Sequence, residues 1–243
     1  MNMNEKYYAG AYWGPRKESP EECATRLEAL LRGLYEVEPS FTRWFQTGKS
    51  RKDAKLRPME PIRSELESLV RRGKDRIVEE IGYRVGGWNG VDDDYDATGF
   101  LVTCGSYATR VSNACAFTLP SRGPHAEQIL TAPVQAGLLR AAVVAWEPNW
   151  GVATSHALSS LMDSRTGRGA PRIGWVMYLA HHLGAMPPLP TPVRIEPVED
   201  KGTLIVLTPE RFTVSNPEHV ALAERVGELL DRAGLLKPLQ PQK

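Results

Sequence analysis

The chain has 243 residues, enough for one domain with a large core or for two small ones. Its 30 basic and 29 acidic residues leave a formal charge of +1, so no general attraction to nucleic acid or to an acidic membrane is encoded. No stretch approaches the roughly 18 apolar residues of a membrane helix, the polar opening Met1–Lys6 lacks a secretory apolar core, and Cys23, Cys104 and Cys115 form no CxxC or other close pair, so the sequence predicts buried thiols in a reducing cytoplasm.

Tyr7–Trp13 reads as an opening strand with aromatic residues on both parities. Ser19-Pro20-Glu21-Glu22 has the form of a capping box with proline at the first helical position. Cys23, Leu27, Leu30, Leu31 and Leu34 then recur at helical spacing, and this helix ends before Pro39. Residues 40–58 read as irregular and basic. A second helix carries Ile62, Leu66, Leu69 and Val70 on one face and stops at Gly73. A strand is expected within Ile77–Trp88, running into the turn Gly86-Gly87-Trp88-Asn89-Gly90.

Residues 98–104 form the next apolar strand. Val111, Cys115, Phe117 and Leu119 share one parity in the strand that follows, with Gly105-Ser106 turning between the two. A helix is expected from His125 to about Leu139, bent or shortened at Pro133. Ala141–Trp146 and Gly174–Leu179 read as buried strands. Val193–Val198 and Thr203–Thr208 flank Glu199-Asp200-Lys201-Gly202, a hairpin turn. Asn216-Pro217 opens the last helix, Leu222, Val226, Leu229, Leu230 and Ala233 line its face, and Gly234 stops it. Strands and helices mix without strict βαβ alternation, and neither a repeat nor a low-complexity linker interrupts them. The pattern predicts an α+β fold, with a largely antiparallel or mixed central sheet and flanking amphipathic helices, in a single domain over residues 1–243.

Catalysis needs an activated nucleophile, a base and a group that orients it. The sequence has no GxSxG elbow, no HExxH and no zinc-like Cys/His cluster. A hydrolase would have to start from Cys104 or from His181-His182. Cysteine is among the most buried residue types, and adjacent histidines diverge on either a helix or a strand and chelate poorly. No catalytic residue, cofactor or metal is therefore expected. Asp92, Asp94 and Asp96 have the 1, 3, 5 spacing of a calcium loop, but Ala97 and Thr103 stand where that loop needs glycine and glutamate. What remains is an acidic loop, either simply solvated or turned towards a basic partner. Glu199-Asp200-Lys201 contains the E-x-K element of some nucleases, here inside a hairpin turn. From Arg43 to Arg76, eleven basic residues face five acidic ones. A nucleic-acid-binding module would use such a segment, but Trp44 and Phe45 lie at one end of it, which favours a solvated face. Trp88 and Trp150 sit among turn residues, where an aromatic ring either anchors a partner or plugs the end of a sheet.

The opening Tyr7-Tyr8-Ala9-Gly10-Ala11-Tyr12-Trp13-Gly14-Pro15-Arg16 is distinctive, as are Ser19-Pro20-Glu21-Glu22-Cys23 and Pro39-Ser40-Phe41-Thr42-Arg43-Trp44-Phe45. Together with Gly86-Gly87-Trp88-Asn89-Gly90 and Trp146-Glu147-Pro148-Asn149-Trp150, the chain resembles the immunity protein 52 family of bacterial polymorphic toxin systems over nearly its whole length. The resemblance implies an antitoxin, without enzymatic activity, that binds a cognate toxin domain and protects the producing cell and its kin. It also implies the usual partner, a restriction-endonuclease-like DNase delivered between bacteria by contact-dependent, type VI secretion. A nuclease holds phosphates with basic surface, and an inhibitor can answer with carboxylates. The expected toxin contacts are therefore Asp92, Asp93, Asp94, Tyr95 and Asp96, with Trp88 or Trp150 as a nearby anchor. No direct contact with nucleic acid or membrane is expected.

Overall fold

A computed structural model describes residues 5–74, 78–162 and 169–238. The opening segment forms β1 (Tyr7–Trp13), which lies in the middle of a nine-stranded sheet. On one side of it β3 (Tyr83–Trp88), β4 (Gly99–Cys104) and β5 (Asn113–Thr118) form a meander, and the two-residue β2 (Phe45–Gln46) closes that edge. On the other side stand β6 (Trp150–Ser155), β7 (Val176–Ala180), β9 (Gly202–Val206) and β8 (Arg194–Val198). Every pairing is antiparallel, which decides between the two sheet forms the sequence allowed.

Odd-numbered positions of β1 face the main helical layer. That layer contains α1 (Pro20–Tyr35), α3 (Arg63–Arg72) and α5 (Ala132–Trp146), with α1 packed between the other two. Trp13 stacks on Trp146 with ring centroids 5.4 Å apart. The start of α1 is set by the capping box read from the sequence: Ser19 Oγ accepts from Glu22 N at 3.2 Å, and Ser19 N donates to Glu22 Oε2 at 2.7 Å. Ser19→Ala is expected to cost about 1 kcal/mol, measured as a lower urea midpoint at unchanged slope.

The other face of the sheet is covered over half its width. There α6 (His156–Met162) packs against β6. α7 (Pro217–Arg232) sends Ala223, Val226 and Leu230 into the core, and a Cβ at its Gly227 would stand 3.3 Å from Ile173 Cγ1. Trp150, Val152, Met177, Leu179 and Ile205 are buried beneath this cover. Over β1, β3, β4 and β5 the same face is different. Apart from Gly10, which lies under the Tyr12 ring, its residues are only partly buried, and Arg84 and Thr118 are exposed.

Three expectations are corrected. Ala141–Trp146 is the second half of α5, not a strand. The helix expected over His125–Leu139 is two: α4 (Pro124–Ile129) and α5, with Pro133 in the first turn of α5, where its missing N–H costs nothing. The irregular segment 40–58 contains β2 and the short α2 (Arg51–Lys55). The strand expected within Ile77–Trp88 is Tyr83–Trp88, after a 3-10 turn at Glu79–Ile81; Ile77 itself lies outside the described residues. The hairpin turn at Glu199-Asp200-Lys201-Gly202 joins β8 to β9 as read.

Candidate functional site

The β3–β4 connection, residues 89–98, holds the aspartates and is pinned at three points. Asn89 Oδ1 accepts from Thr98 N at 3.0 Å and closes the loop at its base. Asp93 Oδ1 accepts from Tyr95 N at 2.9 Å, an Asx turn. Asp96 is 5% exposed and turns inward, accepting from Ala126 N at 3.1 Å and lying 2.7 Å from His125 Nδ1. Its carboxylate fills the space beside Gly123 that a Cβ would take. Asp96 is thus a structural member of the loop, removed from any contact surface.

The three remaining aspartates are exposed, but they do not form a free acidic patch. Lys55 Nζ of α2 lies 2.8 Å from Asp92 Oδ2, and Arg51 pairs with Asp94. The Lys55 hydrogen bond holds the Asp92 carboxyl below its usual range. Such exposed pairs contribute little to stability, yet they place opposite charges side by side over the corner. Tyr95 stands out of this corner, half exposed, with the Arg122 guanidinium 3.9 Å from its ring centroid. Trp88 ends β3 next to Phe45, and Lys55 Nζ lies 5.9 Å above its ring. The corner therefore gathers Asp92, Asp93, Asp94, Tyr95 and Trp88 with α2.

Trp150 is not part of it. The residue opens β6 rather than a loop, is 5% exposed and stacks on Tyr12 at 4.3 Å between centroids. Its sequence neighbours Pro148 and Asn149 make the turn, and Trp150 is already paired into the sheet.

The residues that could have begun a hydrolase lie apart. Cys104 is buried in β4 against Cys23 of α1; its thiol donates a hydrogen bond to Cys23, and that bond and burial push the Cys104 thiol far up, away from the thiolate a nucleophile needs. His181 and His182 lie in a 3-10 turn after β7 and diverge: His181 Nδ1 is 3.0 Å from Asp200 O, and His182 Nε2 is 2.9 Å from Asn149 Nδ2. Among the described residues no group of His, Cys, Asp and Glu is placed to hold a metal ion. No helix there is long and apolar enough to cross a membrane. The basic residues of the 43–76 segment spread over α2, α3 and the connections around them, several in pairs such as Arg71 with Glu67; Arg76 lies outside the described residues.

A polar cluster that sequence reasoning passed over joins the β1–α1 connection to the end of α5. Glu18 Oε1 receives Arg26 Nε at 2.6 Å and lies 3.1 Å from Arg16 Nε. Arg26 also donates to Ala145 O at 3.0 Å and reaches Glu147 Oε2 at 3.3 Å, while Lys201 Nζ lies 3.3 Å from Glu147 Oε1. Glu147 adopts φ 49° and ends α5. Partial desolvation works against its charged form, but Arg26 and Lys201 outweigh that and hold its carboxyl below the usual range. Arg16, desolvated, has its own proton affinity lowered despite Glu18. The signal was present in Pro15-Arg16-Lys17-Glu18 and Trp146-Glu147, but only the fold joins them, through Arg26, which meets Ala145 and Glu147 across 119 and 121 residues of sequence.

Residues 5–239 match the family model for Immunity protein 52. The Pseudomonas aeruginosa T6SS protein PA0821 has a similar fold, with a TM-score of 0.53 and 12% sequence identity over 91% of this chain and 75% of that one. At that identity the likeness speaks for the fold alone. No curated protein matches the sequence.

Proposed function

Because the chain belongs to the immunity protein 52 family, we propose that it neutralises a cognate toxin by forming a protein–protein complex, acting as one domain in the cytoplasm of the producing cell. The toxin is a restriction-endonuclease-like DNase, delivered between bacteria by type VI secretion. The family match carries the protein-binding reading. Inhibition works by occupying the toxin surface rather than by chemistry on it.

The contact includes the β3–β4 corner: Asp92, Asp93, Asp94, Tyr95 and Trp88. The supporting observation is that an exposed aromatic ring and three exposed carboxylates stand on a loop pinned at its base, by an Asx turn and by buried Asp96. A pinned loop loses little freedom on binding. A basic nuclease surface can draw Asp92 and Asp94 away from Lys55 and Arg51, since exposed pairs exchange at little cost.

The toxin domain encoded beside this chain's gene is expected to co-purify with it and to lose DNase activity in the complex. Changing Asp92, Asp93 and Asp94 together to asparagine, with Asp96 left intact, is expected to lower toxin affinity roughly 10-fold or more, mainly through slower association at low salt. Unchanged affinity in a variant that melts like the parent removes the acidic loop from the interface. A complex that leaves DNA cleavage intact removes the inhibitory function.

A further inference from the structure

We propose that the uncovered half of the second sheet face is a docking trough for an amphipathic helix of the partner protein, one whose apolar stripe is flanked by carboxylates. This inference rests on the toxin-binding reading and names a surface of that complex larger than the β3–β4 corner.

Strand register defines the trough. Across the sheet, Trp88 pairs with Gly99, Gly99 with Thr118 and Thr118 with Tyr8. One row further, Gly86 pairs with Leu101, Leu101 with Ala116 and Ala116 with Gly10. Trp88 and Phe45 form one wall at the β2 edge, their rings 6.1 Å apart. Tyr8 and Tyr12 of β1 form the other; the Tyr12 ring lies over Gly10, within 2.4 Å of where a Cβ would stand, and is held there by Trp150. Between the walls the floor is Gly86, Gly99, Ala114 and Ala116 around a single Leu101, all partly exposed.

The dimensions fit a helix. The walls are three strand spacings apart, about 14 Å, against about 10 Å for a helix with its side chains. A six-residue strand is about 20 Å long, matching a helix of about 13 residues. Small residues on the floor let a helix approach closely. The other half of this same face is already buried within the chain, with α6 packed against β6. A nucleic acid strand would find rings only at the two walls, too far apart for successive bases to stack.

Charge selects the kind of helix. β1, β3, β4 and β5 contain no acidic residue. Arg84 is exposed on the face at β3, and exposed Arg43 lies 5.9 Å above the Phe45 ring at the wall. A helix with glutamate or aspartate beside its apolar stripe meets these cations; a lysine-flanked one is repelled.

The test uses the full chain and a catalytically inactive form of the toxin domain encoded beside it. Ala116→Arg places a long cation on the trough floor and is expected to weaken binding at least roughly 30-fold. Val144→Arg, on the exposed side of α5, is expected to leave binding unchanged. Should Ala116→Arg fold poorly, Ala114→Glu probes the same floor from the neighbouring row. Arg84→Glu is expected to weaken binding and to slow association most at low salt. Loss in the trough variants alone supports the proposal. Unchanged affinity in a folded trough variant overturns it and leaves the toxin reading standing, whereas a parent chain that does not bind the toxin at all overturns both. Loss of self-association, or of binding to a 20-nucleotide single strand, on Ala116→Arg with toxin affinity unchanged overturns it in favour of a second copy or a nucleic acid.

Discussion

Trp146→Ala is expected to lower the unfolding free energy by about 3–5 kcal/mol, one of the largest losses any single truncation in this chain would give. Trp146 is completely buried, stacks on Trp13 at 5.4 Å and sits in the last turn of α5, the helix that touches β1, β6, β7, β9 and α1. The helix and the sheet meet through these two rings, so neither side can collapse into the void without moving the other. Trp146→Phe is the informative partner. It keeps a ring against Trp13 and deletes an indole N–H that meets no acceptor among the described residues, so it is expected to cost only about 1–2 kcal/mol. Urea unfolding followed by tryptophan fluorescence measures both. A Trp146→Ala loss below the Trp146→Phe loss would mean that the ring stack is not what couples helix and sheet.

The same helix marks where the sequence stops being legible. The ends of α1 and α7 were readable because each carries a local chemical signal, Ser19 with Glu22 in one and Asn216-Pro217 in the other, and an apolar stripe of helical period. α5 has no such stripe. Ten of its fifteen residues are buried, so apolar residues occupy nearly its whole circumference and the period vanishes. A short apolar run such as Ala141–Trp146 then reads equally well as a central strand. Its β-branched Val143 and Val144 favour that reading, and only the three-dimensional setting, between α1 and five strands, overrules it. Pro133 misled for a related reason: inside a helix it would break the ladder, but the chain starts a new helix just before it.

The candidate site shows the same division. That 89–98 is a loop rich in aspartate was plain from composition. Which aspartates face out was not, because Asp96 differs from Asp92 and Asp94 only in meeting Ala126 N and His125 thirty residues on. The cations of α2 that neutralise the loop were likewise seen as a separate basic segment, whereas Lys55 and Asp92 are 37 residues apart in sequence and 2.8 Å apart in space. Opposite charge runs distant in a sequence are invisible to each other until a sheet brings β2 beside β3. The docking face was hidden differently. Its small residues, Gly86, Gly99, Ala114 and Ala116, look like ordinary strand interior, and only register shows that they line up across three strands.

Glu18→Ala is expected to cost about 3 kcal/mol, towards the lower end of the range for breaking a buried ion pair. The carboxylate is only 5% exposed and serves two guanidinium groups, Arg26 at 2.6 Å and Arg16 at 3.1 Å. Removing it leaves two cations facing each other across a desolvated gap, and desolvation already works against the charge on Arg16. Both arginine side chains remain about a quarter exposed, so water can reach part of each, which keeps the loss below that of a fully enclosed pair. The exposed pair Arg71–Glu67 sets the scale on the other side: Glu67→Ala is expected to cost only about 0.3–0.5 kcal/mol. A double-mutant cycle of Glu18→Ala with Arg26→Met separates the ion pair from the packing of the arginine stem. A coupling energy above about 1 kcal/mol is expected for this pair in direct contact. A coupling near zero would mean that Arg26 acts through Ala145 O alone, as a cap on the end of α5, with Glu18 merely nearby. In either case the loss falls on the joint between the β1–α1 connection and the α5–β6 turn. That turn supports Trp150, and through it Tyr12, the wall of the sheet face. Weakening the joint should therefore lower toxin affinity as well as stability, although Glu18 itself is buried.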